Sequence, residues 1–220
     1  MSKSSEIEKH FLDAFATTNK EFIYIPIPKT GTRSILKLMN KIYGKDLKFS
    51  HHSYKWVANT ISQAELARAK VFATVRNPWA RMYSIFSYYG PQSKFPLKSK
   101  NFRDFIMTSP IEYANWYQDE GCWEDFYNQS RWLADVSGEI KVDKIFKLEN
   151  LNNRDLNGFF GVSGHKIYHV NRSTSKKQHY SLFYDDDMIE VVYKLCKEDI
   201  DNFNYNFEYK ENTEKRDKNG

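Results

Sequence analysis

Apolar and polar positions divide the first part of the chain into a strand, a loop and a helix. The segment that begins at Phe22 is apolar and β-branched, as in a buried strand, and Pro26 and Pro28 end it. Apolar residues then recur at helical spacing, which predicts a helix from about Thr32 to about Tyr43. A short polar loop that contains a glycine separates the predicted strand from the predicted helix.

The same pattern of strand, loop and helix occurs again further along the chain. Residues 70–75 predict a second buried strand, and Pro78 suits the first turn of the helix that follows. Met82, Ile85 and Tyr89 mark the apolar face of that helix. Two such units predict an α/β fold with a parallel sheet, and open α/β folds bind ligands at the carboxyl edge of that sheet.

Weaker patterns predict further elements around these two units. Residues 90–131 are rich in aromatic residues, proline and lysine and have no strand pattern, which indicates loops and helices. The other predicted elements are a first helix from 5 to about 17, a short strand near 47–50, a helix capped at 62–65, a strand over 144–148, a candidate strand at 167–170, and a final helix with the acids of 185–187 on its first turn.

Length and composition favour one compact domain. With 220 residues and 16% aromatic side chains the chain can bury a sizeable core, so we expect a single domain over 1–208 and a charged, disordered tail over 209–220. The net charge of +5 is compatible with an anionic ligand, but it is too small and too dispersed to predict nucleic-acid binding. Cys122 and Cys196 cannot form a disulfide framework, and the position of Cys196 is typical of a small buried hydrophobe.

The sequence predicts neither a membrane segment nor a metal site. It contains no signal peptide and no apolar run of ~20 residues, so we expect a cytoplasmic protein without a membrane partner. No cluster of His, Cys and Asp has the spacing of metal ligands, so no metal is predicted. The pattern does not determine the oligomeric state.

The loop between the first predicted strand and helix has the properties of an anion site. A strand, a tight glycine loop and a helix N-terminus direct several backbone N–H groups to one point. Lys29 and Arg33 lie at the positive end of the helix dipole, where cations are unfavourable unless a bound polyanion offsets them. The loop differs from that of nucleoside triphosphatases, because its lysine precedes Gly31 and the pattern G-x-x-x-x-G-K-[ST] occurs nowhere in the chain.

A second candidate anion site follows the second predicted strand. Arg76 leaves the end of that strand and Ser84 lies about two turns into the next helix, so both can face the same crevice. A guanidinium group and a hydroxyl together suit a phosphate monoester. The alternative is that Arg76 pairs with a carboxylate and Ser84 lies on the helix surface.

Both segments resemble the phosphate motifs of sulfotransferases that use 3′-phosphoadenosine-5′-phosphosulfate (PAPS). Residues 28–34, Pro-Lys-Thr-Gly-Thr-Arg-Ser, resemble the 5′-phosphosulfate loop, and Arg76 with Ser84 resembles the 3′-phosphate motif in residue type and spacing. Residues 129–133 and 142–151 are similar to the carbohydrate branch of these enzymes, as are residues 169–173, Tyr184 and the segment 191–207. That branch includes the heparan sulfate 2-O-sulfotransferases and their small soluble microbial relatives.

The resemblance implies a P-loop-like three-layer α/β fold, with a central parallel sheet flanked by helices. It implies PAPS as the sulfuryl donor, no metal, and a hydroxyl acceptor of carbohydrate type. The donor-binding residues that it implies are Pro28, Lys29, Thr30, Gly31, Thr32, Arg33, Ser34, Arg76 and Ser84, with Ser173 and Lys176 as a late contact to the 3′-phosphate. Two positions depart from the pattern: many relatives have a small hydroxyl residue in place of Arg33, and cytosolic relatives have a tyrosine beside the adenine in place of Leu148.

Sulfuryl transfer requires stabilisation of the leaving phosphate oxygen and often a base for the acceptor hydroxyl. Lys29 is the candidate for the first task. His51 and His52 are candidates for the second, since they follow a predicted strand that should end at the same sheet edge, and the matching stretch of heparan sulfate 2-O-sulfotransferases also has histidine. Adjacent side chains at a strand end point to opposite sides, so only one of the two should face the crevice, and we favour His52.

Other interpretations fit parts of this pattern. A nucleotide kinase of similar fold would turn over ATP with magnesium, but the chain lacks the corresponding phosphate loop. A non-catalytic nucleotide-binding protein would bind the donor and transfer sulfate to no acceptor. The histidine pair could be structural, and Ser173 and Lys176 could belong to an ordinary solvated charged loop.

Overall fold

The computed structural model describes residues 21–44, 51–89, 99, 101–108, 127–167 and 178–210. The chain divides into two compact units, residues 1–76 with 111–172 and residues 77–110 with 173–220. The single domain expected over 1–208 stays a prediction. Of the predicted tail, only 209 and 210 are among the described residues.

Helices make up most of the described secondary structure. The two best-defined helix predictions, from Thr32 to Tyr43 and from Pro78, are confirmed. In chain order the helices are α1 (Thr32–Tyr43), α2 (Tyr54–Thr60), α3 (Gln63–Leu66), α4 (Pro78–Tyr89), α5 (Phe102–Thr108), α6 (Gln129–Leu133), α7 (Asn153–Phe160), α8 (Asp186–Leu195) and α9 (Lys197–Phe203).

The first unit is built on a parallel sheet. Its strands β1 (Phe22–Ile25), β2 (Lys70–Val75) and β3 (Lys144–Lys147) form one sheet in the order β1-β2-β3, and both strand pairs are parallel. The predicted α/β class with a parallel sheet is therefore confirmed. Because parallel strands all end at one edge, the loops after β1 and β2 leave the sheet on the same side.

The structure differs from the weaker strand predictions at two places. β3 ends one residue earlier than predicted, because Leu148 begins a 3₁₀ helix (Leu148–Asn150). Of the candidate strand at 167–170, residue 167 is described and lies outside any strand, and the rest is not among the described residues. The helix predicted over 5–17 and the strand predicted near 47–50 also lie outside the described residues.

The capping box predicted at the start of α3 is present. The Ser62 hydroxyl accepts a hydrogen bond from the Glu65 N–H at 3.2 Å, and the Glu65 carboxylate accepts one from the Ser62 N–H at 3.0 Å. Each bond satisfies a backbone donor that the helix itself cannot pair. This helix leads directly into β2 and ends the crossover from β1.

Aromatic side chains fill the core between the sheet and its helices in the first unit. Phe22 from β1 and Phe72 from β2 meet Phe160 of α7 edge to face, with ring centroids 5.1 and 5.4 Å apart. Ile35 and Met39 on the apolar face of α1 are fully buried in the same cluster. Each such side chain contributes about 1.5–3 kcal/mol on burial, so this cluster anchors the loop between β1 and α1.

In the second unit, α4 begins with an asparagine cap. The Asn77 Oδ1 accepts hydrogen bonds from the N–H groups of Trp79 at 3.1 Å and Ala80 at 3.3 Å, while its Nδ2 donates to the carbonyl of Asn206 at 2.8 Å. Pro78 follows at the first helical position, where no N–H is needed. The Asn-Pro pair thus starts the helix that carries Ser84.

The final helix differs from its prediction in two respects. Asp185 is the N-cap, whose carboxylate accepts from the Met188 N–H at 3.0 Å, and the first turn holds only the next two acids. The helix is also divided, since Cys196 ends α8 and begins α9. Cys196 is buried, as its pattern predicts.

Candidate active site

The loop after β1 has left-handed backbone at two residues. Lys29 has φ +66° and Gly31 has φ +90°. A left-handed conformation costs a non-glycine residue about 1–3 kcal/mol, and such strain occurs most often at functional sites. Gly31 is also required for space, because a Cβ at this position would lie 2.7 Å from the Leu148 Cδ1.

Buried hydroxyl groups support this loop from below. The hydroxyls of Thr30 and Thr32 both donate to the carbonyl of Ile27, at 2.8 and 2.9 Å. Thr30 also contacts the hydroxyl of Thr74 at 3.1 Å, which in turn contacts the Tyr24 hydroxyl at 2.6 Å. The two loop threonines therefore use their hydroxyl hydrogens to hold the loop, which leaves their backbone N–H groups as the donors for an anion.

The sequence indicates that Thr74 needs a hydrogen-bond partner, but it does not identify that partner. Thr74 lies in a run of apolar residues, where a buried hydroxyl needs a partner. Which partner it finds depends on strand pairing, so the sequence did not identify Tyr24. Burial raises the pKa of the Tyr24 hydroxyl above its usual value of 10.0, so the hydroxyl stays protonated beside Thr74.

The top of the loop offers backbone amides. The N–H groups of Thr30, Gly31 and Thr32 have no hydrogen-bond partner among the described residues. The Ser34 amide differs, since it donates to the Gly31 carbonyl at 2.9 Å as the first bond of α1. The remaining amides, placed at the positive end of a helix dipole, form an arrangement that can bind an anion.

Arg76 reaches this loop from the end of β2. One guanidinium nitrogen donates to the carbonyl of Lys29 at 3.4 Å. The structure thus brings together the basic residues of the two sequence motifs, although they are far apart along the chain. Both side chains are half-buried.

The other predicted donor-binding residues occupy different environments. Pro28 and Ser34 are buried and Arg33 is exposed on the first turn of α1. Ser84 is half-buried on α4 of the second unit, and its joint role with Arg76 stays a prediction. Ser173 and Lys176 lie outside the described residues.

His51 is oriented by the backbone at the end of β1. Its Nδ1 forms a hydrogen bond of 2.5 Å with the carbonyl of Pro26. A carbonyl can only accept, so Nδ1 carries the hydrogen and the lone pair of the neutral ring is on Nε2. Trp132 of α6 meets the ring edge to face, with centroids 6.4 Å apart.

His52 has a different environment. Only 8% of the residue is exposed, and its ring stacks on that of Trp56 with centroids 3.9 Å apart. Burial disfavours the charged imidazolium and lowers the pKa of His52 to about 4. The two neighbouring histidines therefore differ in access and in basicity.

The described residues contain neither a metal-ligand cluster nor a membrane-spanning helix. No group of three or more His, Cys, Asp and Glu side chains there is arranged to hold a metal ion. None of the helices in the described ranges is both long enough and apolar enough to cross a membrane. The cytoplasmic location stays a prediction.

Fold and site together define an α/β protein in which lysine precedes glycine in a loop whose amides are arranged as in an anion site. The chain belongs to the sulfotransferase family, since the model of that family matches residues 13–206. The fold of this family is P-loop-like, which confirms the predicted fold class. No curated protein matches the chain.

Proposed function

We propose that this protein transfers a sulfuryl group from PAPS to a hydroxyl of a sugar or glycan. Family membership supports sulfuryl transfer in general. The observation that carries the finer proposal is the strained loop at Lys29, where the guanidinium of Arg76 reaches a loop with three amides that have no partner within the described part of the chain. Such a site suits a donor that carries both a 5′-phosphosulfate and a 3′-phosphate.

Each part of the donor has a proposed partner. The amides of Thr30, Gly31 and Thr32 bind the 5′-phosphate, and Lys29 stabilises the charge that develops on its leaving oxygen. Arg76 reads the 3′-phosphate with Ser84, because a guanidinium donates two parallel hydrogen bonds to a phosphate. In the reaction a bond forms between the acceptor oxygen and sulfur while the bond from sulfur to the 5′-phosphate oxygen breaks.

We further propose His51 as the base that takes the acceptor proton, which reverses the preference drawn from the sequence. The bond from His51 Nδ1 to the Pro26 carbonyl supports this role, because it leaves Nε2 as the ring nitrogen that can accept a proton, and Pro26 belongs to the chain that leads into the Lys29 loop. His52 is almost completely buried and has a lowered pKa, so it suits a structural role. The resemblance to the heparan sulfate 2-O branch, and not the histidine geometry, is what supports a carbohydrate hydroxyl as the acceptor.

The decisive experiment incubates the protein with labelled PAPS and panels of glycans and small alcohols, with products read by mass spectrometry. Sulfated product from a glycan acceptor is the expected result. Donor binding without transfer to any acceptor would indicate a non-catalytic nucleotide-binding protein. Magnesium-dependent turnover of ATP would indicate a nucleotide kinase.

The base assignment is tested by two single variants. His51→Ala is expected to reduce turnover about 100-fold or more, because general bases typically contribute 10²–10⁴-fold. His52→Ala, compared at equal concentrations of folded protein, should retain far more activity. Calorimetry should find donor affinity nearly unchanged in both. The opposite order of turnover would identify His52 as the base.

A further inference from the structure

The side chain of Gln129 pairs with the main chain of Arg76. The Gln129 Oε1 accepts a hydrogen bond from the Arg76 N–H at 2.8 Å, and its Nε2 donates one to the Arg76 carbonyl at 2.8 Å. Gln129 is fully buried at the start of α6. One side chain therefore satisfies both backbone groups of a single residue.

This pairing occurs where the strand ladder ends. The last pair of β2 with β3 joins Val75 to Lys147, so Arg76 is the first residue beyond the sheet. Without a strand neighbour the backbone of Arg76 could rotate, and its guanidinium group could then occupy many different positions. Gln129 supplies the donor and acceptor that a further strand residue would otherwise provide.

The direction of the Arg76 side chain depends on this anchor. Its guanidinium group extends to the Lys29 carbonyl, in the loop where the proposed donor binds. A binding group needs its supporting residues to be held by packing and hydrogen bonds, and a misplacement of about 1 Å can cost 100-fold in function. A buried, doubly bonded glutamine meets that need.

We propose that Gln129 is a positioning residue that aims the Arg76 guanidinium at the 3′-phosphate of the donor, and so sets the preference for nucleotides that carry this group. This inference rests on the proposed function. The effect of Gln129 reaches the ligand through the main chain of Arg76.

The test compares affinities for 3′,5′-adenosine bisphosphate and for AMP, which differ by the 3′-phosphate. The parent protein is expected to prefer the bisphosphate by more than tenfold, and Gln129→Met should remove most of that preference. Leu133→Ala is the matched control, because Leu133 is fully buried on the same helix and makes none of the bonds to Arg76. It should destabilise the protein but keep the affinity ratio of the folded molecules. A parental ratio in Gln129→Met would overturn the proposal.

A second variant covers the case in which Gln129→Met does not fold, since methionine leaves two main-chain groups without partners. In Gln129→Glu, a protonated carboxyl can still accept from the N–H and donate to the carbonyl of Arg76, whereas a carboxylate cannot donate. The ratio of the affinities for the bisphosphate and for AMP is measured in the variant and in the parent at each pH. In the variant this ratio should be low when the carboxyl is ionised and should return to the parental value as the pH falls. A ratio equal to the parental one at every pH would overturn the proposal. A parent without any preference would instead overturn the proposed donor site.

Discussion

At the scale of single residues, Lys29 and the two histidines illustrate how environment separates chemical roles. Lys29 is held in a left-handed conformation at the end of a loop whose threonines are tied down. His51 donates to a backbone carbonyl, while His52 is stacked and buried. Under the proposed function, His51 is therefore suited to proton transfer, whereas His52 is suited to packing.

Substitution of Lys29 by alanine should lower the turnover number about 100- to 1000-fold, as loss of a comparable oxyanion donor does. The affinity for the bisphosphate should fall less, because the charge that Lys29 stabilises develops in the transition state. Single-turnover rates and calorimetry measure the two quantities. Lys37→Ala, an exposed position one turn into α1, is the control and should keep the parental rate. If Lys29→Ala remains within a few-fold of the parent, another cation must perform this task.

The lowered pKa of His52 predicts an acid-sensitive stability. The pKa of His52 is 6.5 in the unfolded chain and about 4 in the folded one. Between pH 6.5 and pH 4, His52 therefore binds a proton in the unfolded chain but not in the folded chain. The contribution of neutral His52 to the free energy of unfolding is therefore fully present above about pH 6.5. It is lost as the pH falls towards 4, by up to ~1.4 kcal/mol per pH unit. His52→Phe keeps a ring against Trp56 and should remove this component. Urea unfolding at several pH values compares the two proteins, and parallel stability curves would contradict the prediction.

At the scale of elements, the unit of β1, loop and α1 depends on a close approach to the start of the 3₁₀ helix after β3. Gly31 lies against Leu148, since a Cβ added at Gly31 would be 2.7 Å from the Leu148 Cδ1. Leu148, one of the two positions at which the sequence departs from the pattern that it resembles, therefore packs against the loop after β1.

Gly31→Ala should destabilise the protein by about 1–3 kcal/mol from its left-handed backbone, with a further loss from the contact with Leu148. Gly44→Ala is the matched control, since Gly44 also has a positive φ but no atom lies within 4 Å of the added Cβ. In a Leu148→Ala background the added Cβ no longer meets the leucine side chain. The Gly31→Ala substitution should therefore cost less stability in that background, by the part that is due to the contact. Urea unfolding gives the free energies. If Gly31→Ala and Gly44→Ala lower the free energy of unfolding equally, the contact with Leu148 has no energetic effect.

At the scale of the whole molecule, donor binding should be visible as added stability. A ligand that binds only the folded state stabilises it by about 2.7 kcal/mol at a concentration of 100 times its Kd. The bisphosphate should therefore raise the denaturation midpoint strongly. AMP and ATP, which lack the 3′-phosphate that Arg76 is proposed to read, should bind more than about tenfold more weakly. Equal shifts with AMP and with the bisphosphate would contradict the assignment of the 3′-phosphate site.

The sequence by itself determined the elements and the motif chemistry of this protein. The strands at 22–25 and 70–75, the helix from Thr32 and the cap at Ser62 are specified by residues a few positions apart. Periodicity, proline, glycine and capping residues act over that range. The order of lysine and glycine in the loop likewise depends on adjacent residues, and it indicated the family that the comparison confirmed.

Only the tertiary structure decided which distant side chains support the site. Gln129 and Arg76 are 53 positions apart, Tyr24 and Thr74 are 50 apart, and His51 meets the Pro26 carbonyl across 25 positions. Each of these contacts depends on strand order and on the path of a connecting segment, which no local pattern encodes. For the same reason the sequence could not rank His51 against His52. The direction of each ring is set by the carbonyl and the tryptophan that the folded chain brings to it.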